Sequence, residues 1–303
     1  MEERDWLILK VLYQQKNITK TAQNLFISQP ALTNRLRQIE EEFKVKIVHR
    51  GRRGVHFTPQ GDYLAKCADE ILLKLRKTKE NVLNMSNSVT GVLRIGTSRY
   101  IAKYKLPSIL RLFSSLYPDV SFKLFTGWSK DIHNYVYNEE VHVGFIRGDY
   151  NWQDEKHLLF EDALCIASRT PFKLEELPSL PRIFYQTESL YKSIIDNWWT
   201  ENYSVPPSIS MEVDQLDTCK EMVANGFGYA IIPSSILNGI EDLYKVGITN
   251  KNGDPILQRA WMVYQKESLE INVVRAFIDF VAAYDFGNTH HVNQVKAGQS
   301  ATV

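Results

Sequence analysis

The sequence predicts an α+β chain of several domains: a small helical head ending in a basic hairpin, one long helix, and a larger α/β body. Three observations predict it. Apolar residues in the first 45 positions recur at helical steps and are interrupted tightly at Ile27-Ser28. A seam from Leu64 to Met85 alternates steps of four and three. From Val92 onward, short strand-like runs alternate with helical ones. The boundaries read as 1–58, 59–89 and 90–303.

At 303 residues, 44% of them hydrophobic, the chain can bury more than one core. No apolar run approaches the ~20 residues needed to span a bilayer. The start, MEERDWLILK, is acidic and amphipathic, without the basic n-region of a signal peptide. A cytoplasmic protein with no membrane association is expected. The net charge of +1 conceals a division. Residues 1–60 carry eleven Lys and Arg against six Asp and Glu, a surplus of five, which leaves the remainder with a deficit of four. A basic head on an acidic body suggests a nucleic-acid-binding module joined to something else.

Within the head, Asp5 to Gln14 has apolar residues at 6, 8, 9, 11 and 12, a first helix. Thr19 is positioned to cap a second, KTAQNLF, with Ala22 and Leu25 facing inward. Ile27 and Ser28 form a tight break, and Ser28 can cap a third helix. Pro30 is tolerated there because first-turn N–H groups have no intrahelical partner. Small Ala22 and Ala31 allow the second and third helices to cross closely. Helix, helix, tight turn, helix is the helix-turn-helix arrangement, whose last helix sets its N-terminal residues against base edges in the major groove.

The third helix has a greasy face, Leu32, Leu36, Ile39 and Phe43, and a polar one. On the polar face Gln29 can offer a bidentate amide to adenine, and Ser28, Thr33 and Asn34 can reach phosphates or bases. Arg35 and Arg37 suit phosphate or guanine. Downstream, KIVHRGRRGVHF reads as two short strands, a wing presenting Arg50, Arg52 and Arg53. The surface expected to meet duplex DNA is therefore Thr19, Ser28, Gln29, Pro30, Thr33, Asn34, Arg35 and Arg37, with those wing arginines.

From Pro59 a long helix runs to about Asn87. Its seam of Leu64, Ala68, Ile71, Leu75, Thr78, Val82 and Met85 is a heptad pattern, most simply paired with the same helix of a second subunit. Packing against its own body is the alternative use of such a face. Residues 84–88 then loosen into a hinge.

The body opens with a strand VLRIG, a helix KLPSILRLFSSLY, a strand VSFKLF, a helix near DIHNYVYN and a strand VHVGFI. A second set follows: RIFYQ, SLYKSIIDNWWTENY, ISMEV, LDTCKEMVANGFGYAIIP and RAWMVYQ, before a last helix, NVVRAFIDFVAAY, that returns to the first half. Such alternation argues for mainly parallel sheets. Ligands of open α/β sheets bind outside the carboxyl ends of strands. That selects the loops holding Thr97, Ser98 and Arg99, then Thr126 and Ser129, then Arg147, and in the second set Gln186 and Asp214. Hydroxyls and helix-start N–H groups favour an anion, and Arg147 or Arg99 is suited to clamp a carboxylate.

The chain carries no enzyme signature. GFGYAIIP places its glycines before a strand, not after one, and there is no P-loop, G-x-S-x-G elbow or H-E-x-x-H. Three scattered cysteines, Cys67, Cys165 and Cys219, form no disulfide framework; Cys165 and Cys219 read as small buried hydrophobes, with redox sensing by the cysteines the lesser alternative. His290-His291 lies in a polar tail, 290–303, read as disordered and without further metal ligands. Neither cofactor nor metal is expected.

The head resembles the DNA-binding head of LysR-type transcriptional regulators. The resemblance rests on Ala22, Leu25, Ser28-Gln29-Pro30-Ala31-Leu32-Thr33, Leu36, Arg37, Ile39, Glu40, Arg50 and Thr58-Pro59-Gln60-Gly61. Lys44 departs from it, standing where a helix-ending Gly is usual, as does Val48, where Phe is common. The resemblance implies a winged helix-turn-helix, a linker helix that pairs subunits through Leu64, Ala68, Ile71, Leu75 and Val82, and dimers often assembled into tetramers. It also implies a two-lobed body like periplasmic solute-binding proteins, whose cleft holds a small-molecule effector near Thr97-Ser98 and Ser129. Partners expected on this basis are a dyad operator in double-stranded DNA, a second copy of the chain, the effector and RNA polymerase.

Overall fold

The computed structural model describes residues 1–51, 54–85, 88–240 and 242–286, and the chain divides into two compact units, Met1–Asn87 and Ser88–Val303. In the first unit, α1 (Glu3–Gln15), α2 (Ile18–Asn24) and α3 (Gln29–Phe43) are followed by an antiparallel hairpin, β1 (Val48–Gly51) and β2 (Gly54–Phe57). A long helix, α4 (Pro59–Asn84), completes it. The core is Ile8, Leu9 and Leu12 from α1 and Leu32, Leu36 and Ile39 from α3, closed by Ala22, Ile47 and Val55. The helical spacing selected the α1 and α3 positions among these, but Phe43, expected on the greasy face at the end of α3, is exposed.

Capping shows why the segments begin where they do. Ser28 Oγ accepts from the Ala31 N–H at 3.2 Å, as expected. The second helix is capped by Asn17, whose side chain accepts from Lys20 N–H at 3.0 Å, so Thr19 lies one residue inside the helix and is not its cap. Ala31 is exposed and takes no part in a helix crossing, a role left to Ala22.

The Thr58-Pro59-Gln60-Gly61 motif also finds a physical cause. Thr58 Oγ1 accepts from the Gly61 N–H at 2.9 Å and donates to the Lys46 carbonyl at 2.6 Å, tying the start of α4 to the segment that leads into β1. A Cβ on Gly61 would lie 2.0 Å from the Ile47 carbonyl oxygen, so only glycine fits. Glu40 locks the same corner: Oε1 accepts from Ile47 N–H at 2.9 Å and Oε2 from Lys46 at 2.8 Å.

Two expectations for the unit are corrected. Leu64 and Ala68, assigned to the dimer seam, are buried in the head's own core, where α4 packs along α1. The seam left accessible is Ile71 and Leu75, half-buried, and the exposed Thr78, Val82 and Met85. Helix α4 ends at Asn84; of the expected hinge, residues 86–87 lie outside the described residues, as do Arg52, Arg53 and the 290–303 tail.

In the second unit, β3 (Gly91–Ser98), β4 (Val120–Gly127) and β5 (Val143–Arg147) are parallel in the order β4-β3-β5. They carry α5 (Arg99–Tyr104), α6 (Leu106–Leu116) and α7 (Ser129–Tyr137). Residues 99–100, read as loop, therefore start a short helix. The long β6 (Glu155–Ser168) spans two lobes. Its first half pairs with β11 (Leu257–Tyr264) in lobe I; its second half pairs with β9 (Ala230–Pro233) and β10 (Tyr244–Gly247) in lobe II. Lobe II adds β7 (Arg182–Tyr185), parallel to β8 (Ile209–Val213), with α8 (Ser189–Asn202) and α9 (Leu216–Ala224). Because β6, β10 and β11 run antiparallel, the sheet is mixed rather than mainly parallel. The last helix, α10 (Asn272–Ala282), returns to lobe I, where Phe277 meets the rings of Phe113 at 5.1 Å and Phe145 at 6.1 Å.

Lys44 ends α3 in the left-handed region, φ 55°. A Cβ there costs roughly 1 kcal/mol that glycine does not pay. Lys44→Gly is therefore expected to stabilise the head by about 0.5–1 kcal/mol, read as a higher urea midpoint at unchanged slope; a lower midpoint would show that the Lys44 side chain carries a compensating contact.

Candidate functional site

Helix α3 buries Leu32, Leu36 and Ile39 and leaves Gln29, Pro30, Asn34 and Arg37 exposed, with Thr33 half-buried. Ser28 is exposed but spends its hydroxyl on the cap. Thr19 Oγ1 donates to Gln29 Oε1 at 3.3 Å, so α2 steadies the amide that heads the polar face.

Arg35 departs from its expected role. Its Nε donates to the buried Asp5 carboxylate, its Nη2 donates to the other oxygen at 2.7 Å, and its Nη1 donates to Gln38 at 2.9 Å. Burial pushes the Asp5 carboxyl up, but the Arg35 fork and the Glu2 N–H more than reverse that, leaving it below the usual carboxylate range. The fork that would clasp guanine or phosphate instead joins α3 to α1. Arg37 carries no ion pair among the described residues and stays available. Arg50 occupies β1, its backbone registered with Val55.

In the body, a cleft of about 90 Å³ opens between the lobes, lined by Ser98, Arg99, Trp128, Arg147, Gln186 and Asp214 among others. At roughly 10–15 Å³ per water, that space suits several waters or a small metabolite. Five of the eight expected effector residues are thus brought together. The other three are not at its wall. Thr97 is fully buried with its hydroxyl turned to the Ser98 carbonyl at 3.2 Å, because its place within β3 points it into the sheet. Thr126 lies in β4, exposed away from the cleft. Ser129, also fully buried, supports the site from behind: its Oγ accepts from the Arg147 N–H at 3.0 Å.

Arg147 is 7% exposed and stacks 3.8 Å over the Tyr100 ring. Its Nη2 faces Asp162 Oδ2 at 3.6 Å, an ion pair beyond hydrogen-bond length. Arg147 Nε and Nη2, Ser98 Oγ and Gln258 Oε1 are buried without a hydrogen-bond partner. Buried polar atoms are normally paired, and leaving one unpaired costs about 1–3 kcal/mol. Several converging on one cleft mark a place where a polar ligand completes the set. Asp162 is fully engaged in turn, accepting from Tyr100 at 3.1 Å, from the Ser235 N–H at 3.2 Å and from the Ser234 and Ser235 hydroxyls. Burial, and then the Asp162 charge, push the Tyr100 phenol up to about 12, which keeps it a donor.

Sequence reasoning missed Asp162, Glu188, Tyr191 and Gln258. Asp162 and Gln258 face each other across β6 and β11, and their polar character inside strands was the signal to follow. No group of His, Cys, Asp and Glu suited to a metal occurs among the described residues, and no described helix is long and apolar enough to cross a membrane.

Residues 4–62 match the bacterial regulatory helix-turn-helix protein, lysR family, and residues 86–285 match the LysR substrate binding domain. The chain belongs to the LysR family. It is a DNA-binding transcriptional regulator with an effector-binding domain, and the family is one of regulators, not enzymes. Two Bacillus subtilis (strain 168) proteins are similar along nearly the whole length. The uncharacterized HTH-type transcriptional regulator YraN is 41% identical, covering 93% of this chain and 97% of that protein. The likewise uncharacterized HTH-type transcriptional regulator YkuM is 31% identical, again covering 93% and 97%. Among solved structures, the full-length Vibrio cholerae virulence activator AphB superposes with a TM-score of 0.63 at 18% identity, covering 94% of this chain and 100% of that one. Full-length CbnR complexed with its target DNA also gives 0.63 at 18%, covering 93% and 99%. At those identities the structures speak for the shared fold.

The remaining thiols bear on redox sensing. Burial pushes Cys165 up to about 11 and Cys219 up to about 12, so both stay protonated and unreactive near neutral pH. Ellman's reagent is expected to titrate Cys67 alone in the native protein and all three cysteines after unfolding. Rapid native reaction of Cys165 or Cys219 would restore a redox reading.

Proposed function

We propose that this LysR-family chain works as a dimer on dyad-symmetric duplex DNA and that a small carboxylate in the interlobe cleft sets its activity. The observation that carries the effector half is the set of buried, unpartnered donors, the Arg147 Nε and Nη2 and the Ser98 hydroxyl, on the cleft wall; the Gln258 Oε1 acceptor beside them calls for a donor elsewhere on the same ligand. A carboxylate supplies acceptors for the guanidinium and for the Ser98 hydroxyl in one planar group. Aromatic walls from Tyr100, Trp128, Tyr185 and Tyr191 suit an apolar or ring-bearing remainder.

For the DNA half, the exposed Gln29, Asn34 and Arg37 form the face that α3 would lay in the major groove, with Thr33 at its edge and the β1–β2 hairpin alongside. CbnR has been seen bound to its target DNA, and this chain shares that fold. Dimerisation through the outer part of α4 would hide Val82, Leu83 and Met85, which stand 57–82% exposed. Linkage then requires that an effector preferring one lobe arrangement alters DNA affinity, and that DNA alters effector affinity by the same factor.

Two variants separate the halves. Gln29→Ala is expected to lose about 1–3 kcal/mol of preference for the operator over random DNA, measured by competition binding. An equal loss on both DNAs would make Gln29 a backbone contact only. Ser98→Ala should retain operator affinity but lose the shift that a small carboxylate produces; a retained shift would place the effector elsewhere.

A further inference from the structure

Helix α7 lacks a cap of its own. Its N-cap residue is Trp128, whose indole cannot accept from the first-turn N–H groups, and no side-chain cap bond is made. The acceptor comes from lobe II. Glu188, which opens α8, makes no cap bond there. It reaches across the cleft, where its Oε1 accepts from the Ser129 N–H at 2.8 Å and its Oε2 accepts from the Tyr150 hydroxyl. Burial, then the bond to Glu188, raise the Tyr150 phenol well above its ordinary value, so it stays a donor. The lobes also meet beside it: a Cβ on Gly148 would lie 3.5 Å from Leu190.

A helix N-terminus with its positive dipole end and free N–H groups is a seat for an anion. Here the seat lies directly behind the cleft wall that Trp128 shares with the unpartnered Arg147, Ser98 and Gln258 atoms, each of these last side chains more than nine-tenths buried. Glu188 lines that cleft as well. Resting on the carboxylate reading above, we propose that Glu188 is a tethered stand-in for the effector's carboxylate, holding the lobes together at the start of α7, and that the true ligand must displace it. Glu188 is then a specificity-determining residue. It admits only ligands whose acidic group competes with a carboxylate of high local concentration, and it screens out neutral molecules that fill the aromatic space without contesting the Ser129 N–H.

Removing this acceptor from the cleft therefore strengthens anion binding. With full-length protein and acetate as the probe, Glu188→Ala is expected to bind at least tenfold more tightly than the parent by calorimetry. Glu188→Gln, which keeps an acceptor for the Ser129 N–H but drops the charge, should fall between them. Spin labels at Tyr137→Cys in lobe I and Val205→Cys in lobe II, in a Cys67→Ser background, should report a longer or broader distance in Glu188→Ala without any ligand. Acetate affinity equal to or below that of the parent, or an unchanged distance distribution, overturns the proposal. The cleft itself is judged separately. Acetate binding that is lost with Ser98→Ala yet indifferent to Glu188→Ala keeps the effector site and removes the stand-in. Binding to the Glu188→Ala protein that survives Ser98→Ala in full removes both.

Discussion

The body is organised around one buried carboxylate. Asp162 sits on β6 where that strand passes from lobe I to lobe II, and it is 4% exposed. Left alone, such a charge would be several kcal/mol out of place. It is held by Arg147 and Tyr100 from lobe I and by Ser234 and Ser235 from lobe II. Both lobes therefore have a stake in the same two oxygens. Because Asp162 is satisfied mainly by Tyr100 and the serines, Arg147 is drawn to it electrostatically but not consumed by it, and its guanidinium edge remains unpaired beside the cleft. A structural ion pair and an open binding group coexist in one residue.

A similar economy shapes the head, with the opposite outcome. Asp5 is fully buried, and Arg35 answers it with two nitrogens, so nothing of that fork is left over. Two arginines on one turn of α3 thus diverge. Arg35 joins α3 to α1 and fixes how the recognition face is presented, while Arg37 stays in water with its full donor set. Under the proposed DNA-binding role, removing Arg35 costs geometry and removing Arg37 costs a contact.

Much of this was legible in the residues, and the pattern of what was not is physical. Helix starts in the head follow from Ser28, Pro30 and Pro59, whose preferences act locally. The second cap went to Asn17 instead of Thr19 because both are capping residues two apart, and burying Ile18 decides between them. A heptad seam identifies a face that must be covered, not what covers it. The two turns nearest the head are taken by α1, which leaves only the far part of α4 for a partner. In the cleft, strand-end positions such as Ser98 and Arg147 could be named because a parallel strand delivers its last residue to a known edge. Asp162 and Gln258 escaped because they come from the middle and start of antiparallel strands, and Glu188 because its carboxylate acts on a helix 59 residues away in the chain. Pairings of that kind are made by tertiary structure and leave no periodic trace.

Where an effector carboxylate and Glu188 compete for one helix end, the anion contact itself discriminates little between candidate ligands. A hydrogen bond to a charged acceptor contributes about 1.5–3 kcal/mol, but exchanging one carboxylate for another returns nearly all of it. A ligand shifts a conformational equilibrium only by its differential affinity for the two states. The difference must then come from the remainder of the molecule, from what it touches in lobe II once Glu188 has let go, among Tyr185, Gln186, Tyr191 and Asp214. Asp214 is an acid on the wall of that cleft, which disfavours a ligand carrying negative charge at both ends. A single carboxylate directed at α7 and Arg147, with a neutral or cationic group facing Asp214, satisfies both walls at once.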